Sequence, residues 1–188
     1  MNKNTMLPLS AETTIGFLGA GQLARMSAAV VMRLGMRAAV FSGSGGMGPG
    51  KNQVRHSGAV PDKTAALQPL EWMTPLRYSG KFDDEEALVR FARDCDVVTL
   101  ENEFLDGGLL SRVREKSGTP MWPSPVSFLQ LESKWLEKET FRKAGIPVTP
   151  YSKVASFGDL ADFGDTHGYP FVLKSSKGGY DGYGNRTV

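Results

Sequence analysis

One stretch, Thr14-Ile15-Gly16-Phe17-Leu18-Gly19-Ala20-Gly21-Gln22-Leu23-Ala24-Arg25-Met26, constrains the fold more than any other. Its first half is short and apolar. Its second half continues with helical spacing through Met26, Ala29, Val30 and Leu34 until Gly35, a helix terminator. The pattern reads strand, tight turn, helix. Gly19 and Gly21 suit a turn whose backbone passes through conformations a side chain would block, and the small Ala24 lets the helix lie close to the strand. The helix then opens with unpaired N–H groups aimed beyond the strand end, which favours an anionic or hydrogen-bonding ligand.

Gly19-x-Gly21-x-x-Ala24 has the form of a dinucleotide fingerprint, which also wants an acidic residue about 20 positions on, at the end of the second strand. Here the second strand, Arg37 to Phe41, runs into Ser42-Gly43-Ser44-Gly45-Gly46, and no carboxylate appears in that stretch or beyond it until Asp62. Two readings stay open for the turn itself: a nicotinamide dinucleotide site, or a turn that serves the fold or another ligand.

The remaining composition narrows the class. Lys and Arg total 22 against 20 Asp and Glu, a formal charge of +2, which gives no case for nucleic acid. Residues 1–13 are polar and read as a disordered leader, not a secretion signal. No later apolar run is long enough to cross a bilayer, so a cytoplasmic protein is expected. The single cysteine, Cys95, rules out an internal disulfide; at the entry to an apolar strand it reads as a buried structural thiol.

Along the chain, Ser42 to Pro75 is rich in Gly and Pro and reads as an irregular surface insertion pinned by Leu67, Leu70 and Trp72. Leu76 to Tyr78 is a strand candidate, and Asp83 is placed to cap a helix from Asp84 to Arg93. Asp96 to Glu101 reads as a strand of a parallel sheet ending in Glu101-Asn102-Glu103. Ligands of open α/β sheets sit beyond the carboxyl ends of the strands, where these carboxylates fall; the plainer reading is that they cap or solvate the helix Leu109 to Lys116. Met121-Trp122 is a short strand, Pro123-Ser124-Pro125 opens a helix, and Glu132 to Ala144 is an amphipathic helix stopped by Gly145.

From Gly145 the character changes. A helix near Leu160 to Phe163 and the strand Pro170 to Lys174 lead into Ser175-Ser176-Lys177-Gly178-Gly179-Tyr180-Asp181-Gly182-Tyr183-Gly184-Asn185, then a return strand Arg186 to Val188. A glycine-rich loop between two strands, with Lys174 at its entrance, reads as a flap covering phosphates: the loop N–H groups wrap oxyanions and the lysine supplies charge. A plain hairpin loop would also be glycine-rich.

Two distant stretches then agree. Gly19-Ala20-Gly21-Gln22-Leu23-Ala24-Arg25-Met26 resembles the opening motif of the N5-carboxyaminoimidazole ribonucleotide synthetases, PurK-type enzymes of the ATP-grasp superfamily, and Gly178 to Asn185 resembles their flap. Gly80 to Asp84, Thr99 to Glu103, Pro123 to Pro125, Glu137-Lys138 and Gly145 to Pro150 fall between them in the family's order. The resemblance covers Thr14 to Val188 and is to the amino-terminal portion of the family.

It implies an α/β fold: a parallel-sheet, Rossmann-like pre-ATP-grasp substrate domain (14–131), then a linking helix and the beginning of an ATP-grasp domain (132–188). It implies a carbon-nitrogen ligase of purine biosynthesis that uses ATP and Mg²⁺ to activate bicarbonate, as carboxyphosphate, and carboxylates the exocyclic amine of 5-aminoimidazole ribonucleotide. Gly21, Gln22, Leu23 and Glu101 would border that ribonucleotide. Lys134, Lys174, Gly179, Tyr180, Asp181, Gly182, Tyr183, Gly184 and Asn185 would bind ATP, with Tyr180 and Asp181 reaching the substrate as catalytic residues.

The chain departs from the family in four places. Ser42-Gly43 stands where an acidic residue usually follows the second strand, a segment from about Ser57 to Pro75 looks inserted, and Tyr183 replaces a basic flap residue. The adenine-binding segment and the acidic Mg²⁺ ligands are expected later than Val188, so no metal site is expected within this chain and the isolated polypeptide is expected not to turn over. Two other functions remain in view: a noncatalytic ligand-binding or dimerisation module, and an NAD(P)-dependent oxidoreductase domain. A homodimer is compatible with the first domain's apolar surface.

Overall fold

In the computed structural model, which describes residues 9–43, 67–101, 105–131, 133–177 and 184–188, strands and helices alternate along the chain. The elements are β1 (Thr14–Leu18), α1 (Gln22–Arg33), β2 (Arg37–Gly43), β3 (Arg77–Gly80), α2 (Glu85–Arg93), β4 (Val97–Leu100), α3 (Gly107–Ser117), β5 (Met121–Trp122), α4 (Pro125–Leu131), α5 (Lys134–Lys143), α6 (Phe157–His167), β6 (Val172–Lys174) and β7 (Asn185–Thr187). The first five strands make one parallel sheet in the order β3-β2-β1-β4-β5, the arrangement of a doubly wound α/β fold, while β6 and β7 pair antiparallel. The chain divides into two compact units between Pro125 and Val126.

Side-chain alternation along the central strands builds both faces of the sheet. Phe17 of β1 and Ala38 and Val40 of β2 pack with Ala20, Ala24 and Ala28 and with Leu70. From α1 the cluster takes the small Ala24 and Ala28, with Val31 and Met32 packed against it. Elsewhere in the unit, Phe41 meets Phe82 and Phe91 at ring-centroid distances of 5.6 Å, and Tyr78 meets Phe91 at 5.1 Å. Gly16 belongs to this packing, because a Cβ there would collide with the Cys95 sulfur and the Phe91 ring. Cys95 is buried and free, its Sγ donating to the Phe91 carbonyl, and burial pushes the thiol up to about 12.

Several local expectations shift in the folded chain. The N-cap of α2 is Asp84, whose side chain accepts from the Ala87 N–H, and not Asp83. Strand β2 extends two residues past Phe41 to Gly43. Of the residues expected to pin the irregular segment, Leu70 is fully buried, but Trp72 is 73% exposed and, among the described residues, donates its Nε1–H to the Leu67 carbonyl. Helix α5 starts at Lys134 under the cap of Ser133, and none of its residues is fully buried, so its apolar positions are only partly covered. Among the described residues no helix is long and apolar enough to cross a membrane.

Candidate functional site

The carboxyl edge of the five-stranded sheet is where the glycine turn meets its surroundings. Leu18 is in register with Phe41 of β2 and with Leu100 of β4. One residue further, Gly19 N donates to the Phe41 carbonyl at 3.0 Å and Glu101 N donates to the Leu18 carbonyl at 3.1 Å. Ser42, Gly19 and Glu101 therefore stand in one row across the edge, and alternation turns the side chains of Ser42 and Glu101 to the same face, the one that carries α1.

Glu101 uses that position. Its Oε2 accepts from the Gly21 N–H at 2.9 Å, the first backbone donor at the start of α1, whose N-cap has no side-chain partner of its own. The two glycines serve different purposes. Gly19 sits at φ +115°, a conformation closed to ordinary side chains, whereas Gly21 has φ −78° and ψ −163°, which any residue can adopt. Gly21 is needed for space, because a Cβ there would collide with the Glu101 carboxylate. The space that a second fingerprint glycine leaves for a pyrophosphate is thus filled by a group of the same sign. The plainer reading of Glu101, as a cap of the following helix, does not hold: α3 is capped by Asp106, which accepts from Leu109 N.

Gln22 and Leu23 form the first turn of α1 beside this carboxylate, and both are exposed, Leu23 at 61%. Leu70 and Glu71, in the described part of the irregular segment, bond to the turn and to β2. Leu70 N donates to the Ala20 carbonyl at 3.0 Å, and Ser42, only 5% exposed, donates its hydroxyl to Glu71 Oε1 at 2.7 Å. Sequence reasoning missed this pairing; nothing near Ser42 announces a partner 29 residues away.

The second group of residues lies in the Val126–Val188 unit. Lys174 ends β6, exposed and in register with Asn185 of β7, and Gly184 accepts at its carbonyl from Ser175 N at 2.8 Å, so these residues close the base of a hairpin. Lys134 N donates to the Ser176 carbonyl at 2.9 Å, which brings the first turn of α5 to the same hairpin base. The Lys134 ammonium is half-exposed and 3.7 Å from Glu137. Gly179, Tyr180, Asp181, Gly182 and Tyr183, together with Glu103, lie outside the described residues. Among the described residues no three His, Cys, Asp or Glu side chains form a group able to hold a metal ion.

Residues 139–188 match the family model of the ATP-grasp domain. Over 176 residues the chain is 33% identical to a phosphoribosylaminoimidazole carboxylase of Ogataea methanolica, covering 93% of this chain and 29% of that relative. Over 186 residues it is 32% identical to an N5-carboxyaminoimidazole ribonucleotide synthase of Staphylococcus aureus strain MRSA252, covering 96% and 42%. The chain is thus similar to N5-carboxyaminoimidazole ribonucleotide synthases over part of their length. The crystal structure of one such synthase from Aspergillus clavatus, in complex with ADP and 5-aminoimidazole ribonucleotide, superposes with a TM-score of 0.72 at 27% identity, over 95% of this chain and 41% of that one. The chain spans less than half the length of these synthases.

Proposed function

We propose that this chain is the part of an N5-carboxyaminoimidazole ribonucleotide synthase that receives 5-aminoimidazole ribonucleotide at the carboxyl edge of its sheet and begins the ATP-grasp region. The observation that carries the reading is Glu101 on the Gly21 N–H, in a fold whose solved relative holds that ribonucleotide and ADP. A carboxylate in the glycine turn accepts from hydroxyl and amine donors and repels a pyrophosphate, which favours a ribosyl amine over a dinucleotide.

In this reading Gly21, Gln22, Leu23 and Glu101 border the ribonucleotide. Lys134 and Lys174 neutralise the phosphates of ATP from the hairpin base, with Gly179, Tyr180, Asp181, Gly182, Tyr183, Gly184 and Asn185 forming the flap and Tyr180 and Asp181 acting on the substrate. The reaction served is transfer of the terminal phosphoryl group of ATP to bicarbonate, giving ADP and carboxyphosphate. The exocyclic amine then attacks the carboxyl carbon, phosphate leaves and the amine loses a proton. Exclusion of water by a closed flap protects such an acyl phosphate. Magnesium is the metal this chemistry uses, but no group among the described residues fits it, so no step is assigned to it. A cytoplasmic location belongs to the same proposal. So does a homodimer, supported by the exposed Met26 and Val30 of α1 and the adjoining C-cap residue Leu34, which sedimentation velocity across a concentration series would test.

Calorimetric titration of the chain with 5-aminoimidazole ribonucleotide and NADH tests the proposal. Saturable binding of the first and none of the second is expected, with Glu101→Gln weakening the ribonucleotide about tenfold, the worth of one hydrogen bond to a charged group. Saturable NADH binding with no ribonucleotide binding would overturn it.

A further inference from the structure

We propose that Glu71 supplies, from a downstream segment, the carboxylate that β2 lacks at its own end, and that it helps to position the ribosyl part of the substrate. The proposal rests on the functional reading above and adds a residue to it. Acidic side chains at the end of a second strand accept from ribose hydroxyls in doubly wound folds. Here the strand ends in Ser42-Gly43, and neither residue can do this as an anion.

The folded chain places a carboxylate there by another route. Ser42 is buried, and its hydroxyl donates to Glu71 Oε1 at 2.7 Å, while Gln68 N donates to Glu71 Oε2 at 2.6 Å. Glu71 is held from behind by its neighbour: Leu70 is fully buried against the cluster of Phe17, Ala20 and Ala24, and its N–H is bonded to the Ala20 carbonyl. Thr74, also buried, donates to the Ala38 carbonyl at 2.6 Å and pins the far side of the segment. A carboxylate fixed at both oxygens and flanked by two buried anchors has one defined position.

That position is on the substrate side of the edge. Ser42, Gly19 and Glu101 share one row, with Ser42 and Glu101 facing the same way, so the carboxylates of Glu71 and Glu101 flank the glycine turn from the β2 and β4 sides. Strands two places apart in a sheet are roughly 10 Å apart. Such a gap admits a ribose with a hydrogen bond on each side and keeps the two anions from meeting. Glu71 also retains capacity. An ionised carboxylate offers about four acceptor positions, of which Ser42 and Gln68 use two among the described residues, and the residue is only partly buried. The chemistry recognised is that of a hydroxyl-bearing ribose monophosphate.

The test uses the 188-residue chain with the variants Glu71→Gln and S42D/E71Q, the second returning a carboxylate to β2 itself. The dissociation constant for 5-aminoimidazole ribonucleotide is read by calorimetry, alongside the melting midpoint. Glu71→Gln is expected to weaken the ribonucleotide about tenfold, and S42D/E71Q to restore most of the loss. Unchanged ribonucleotide affinity in folded Glu71→Gln overturns the assignment, as does a loss of affinity that S42D/E71Q leaves unrestored although it recovers the midpoint, the signature of a purely structural residue. Should Glu71→Gln fail to fold, S42D/E71Q decides: a folded double variant that binds the ribonucleotide supports the assignment, and one that does not overturns it. An unsubstituted, folded chain that does not bind the ribonucleotide would instead remove the functional reading itself, and this assignment with it.

Discussion

Gly21 and Glu101 form a pair in which backbone space and side-chain chemistry depend on each other. Gly21→Ala puts a methyl group where the carboxylate lies, without backbone strain, so its expected cost is that of overpacking, about 1–3 kcal/mol by urea denaturation. Combined with Glu101→Ala, most of that cost should disappear, because the colliding group is gone; additive losses would refute the coupling. A second residue-scale outcome concerns Glu139. Its hydrogen bonds from Arg142 and then from the Tyr151 hydroxyl hold the carboxyl at about 2, against an ordinary 4.5. A depressed folded-state pKa stabilises above the unfolded value and is lost as pH falls through the folded one. The cluster should therefore loosen between about pH 4.5 and 2, and Trp135, in edge contact with Tyr151 at 5.3 Å, reports it. In a chain with Trp72 and Trp122 replaced by Phe, the emission of Trp135 should change across that window, and Glu139→Gln should abolish the change.

Among the secondary-structure elements, the alternating strands and helices were legible in the sequence because each keeps its own period: β1 and β2 as short apolar runs, α2 as Leu88, Phe91 and Ala92 on one buried face, which Val89 joins in the folded chain. The end of an element was less legible. Asp83 and Asp84 are equally good caps by chemistry, and in the folded chain it is Asp84 whose side chain accepts from the Ala87 N–H. Asp84→Ala should lose about 1 kcal/mol of stability while Asp83→Ala stays within about 0.5 kcal/mol; the reverse order in chemical denaturation would return the cap to Asp83. Helix α5 shows the limit of periodicity from the other direction, since its amphipathic pattern marks a helix but no residue of it is fully buried.

Across the whole molecule the buried apolar residues are distributed unevenly. Among the described residues, those from Phe17 to Met121 lie in the unit ending at Pro125, and Phe128 is the buried hydrophobic beyond it. A chain ended at Pro125 is therefore expected to keep a cooperative thermal transition and the circular dichroism of an α/β fold, whereas residues 126–188 alone should show no cooperative transition; a sharp transition in the shorter piece would contradict this. The sequence by itself determined the strand-turn-helix opening, the α/β alternation, the placing of Glu101 at a strand end and of Lys174 at a hairpin entrance, because each depends on local period and turn chemistry. Only the tertiary structure decided that Glu101 reaches the Gly21 N–H across 80 residues, that Ser42 meets Glu71 across 29, and that Lys134 joins the hairpin through Ser176. Those meetings follow from sheet register and from the burial of Leu70, which are properties of the packed chain and leave no mark in the residues adjoining either partner.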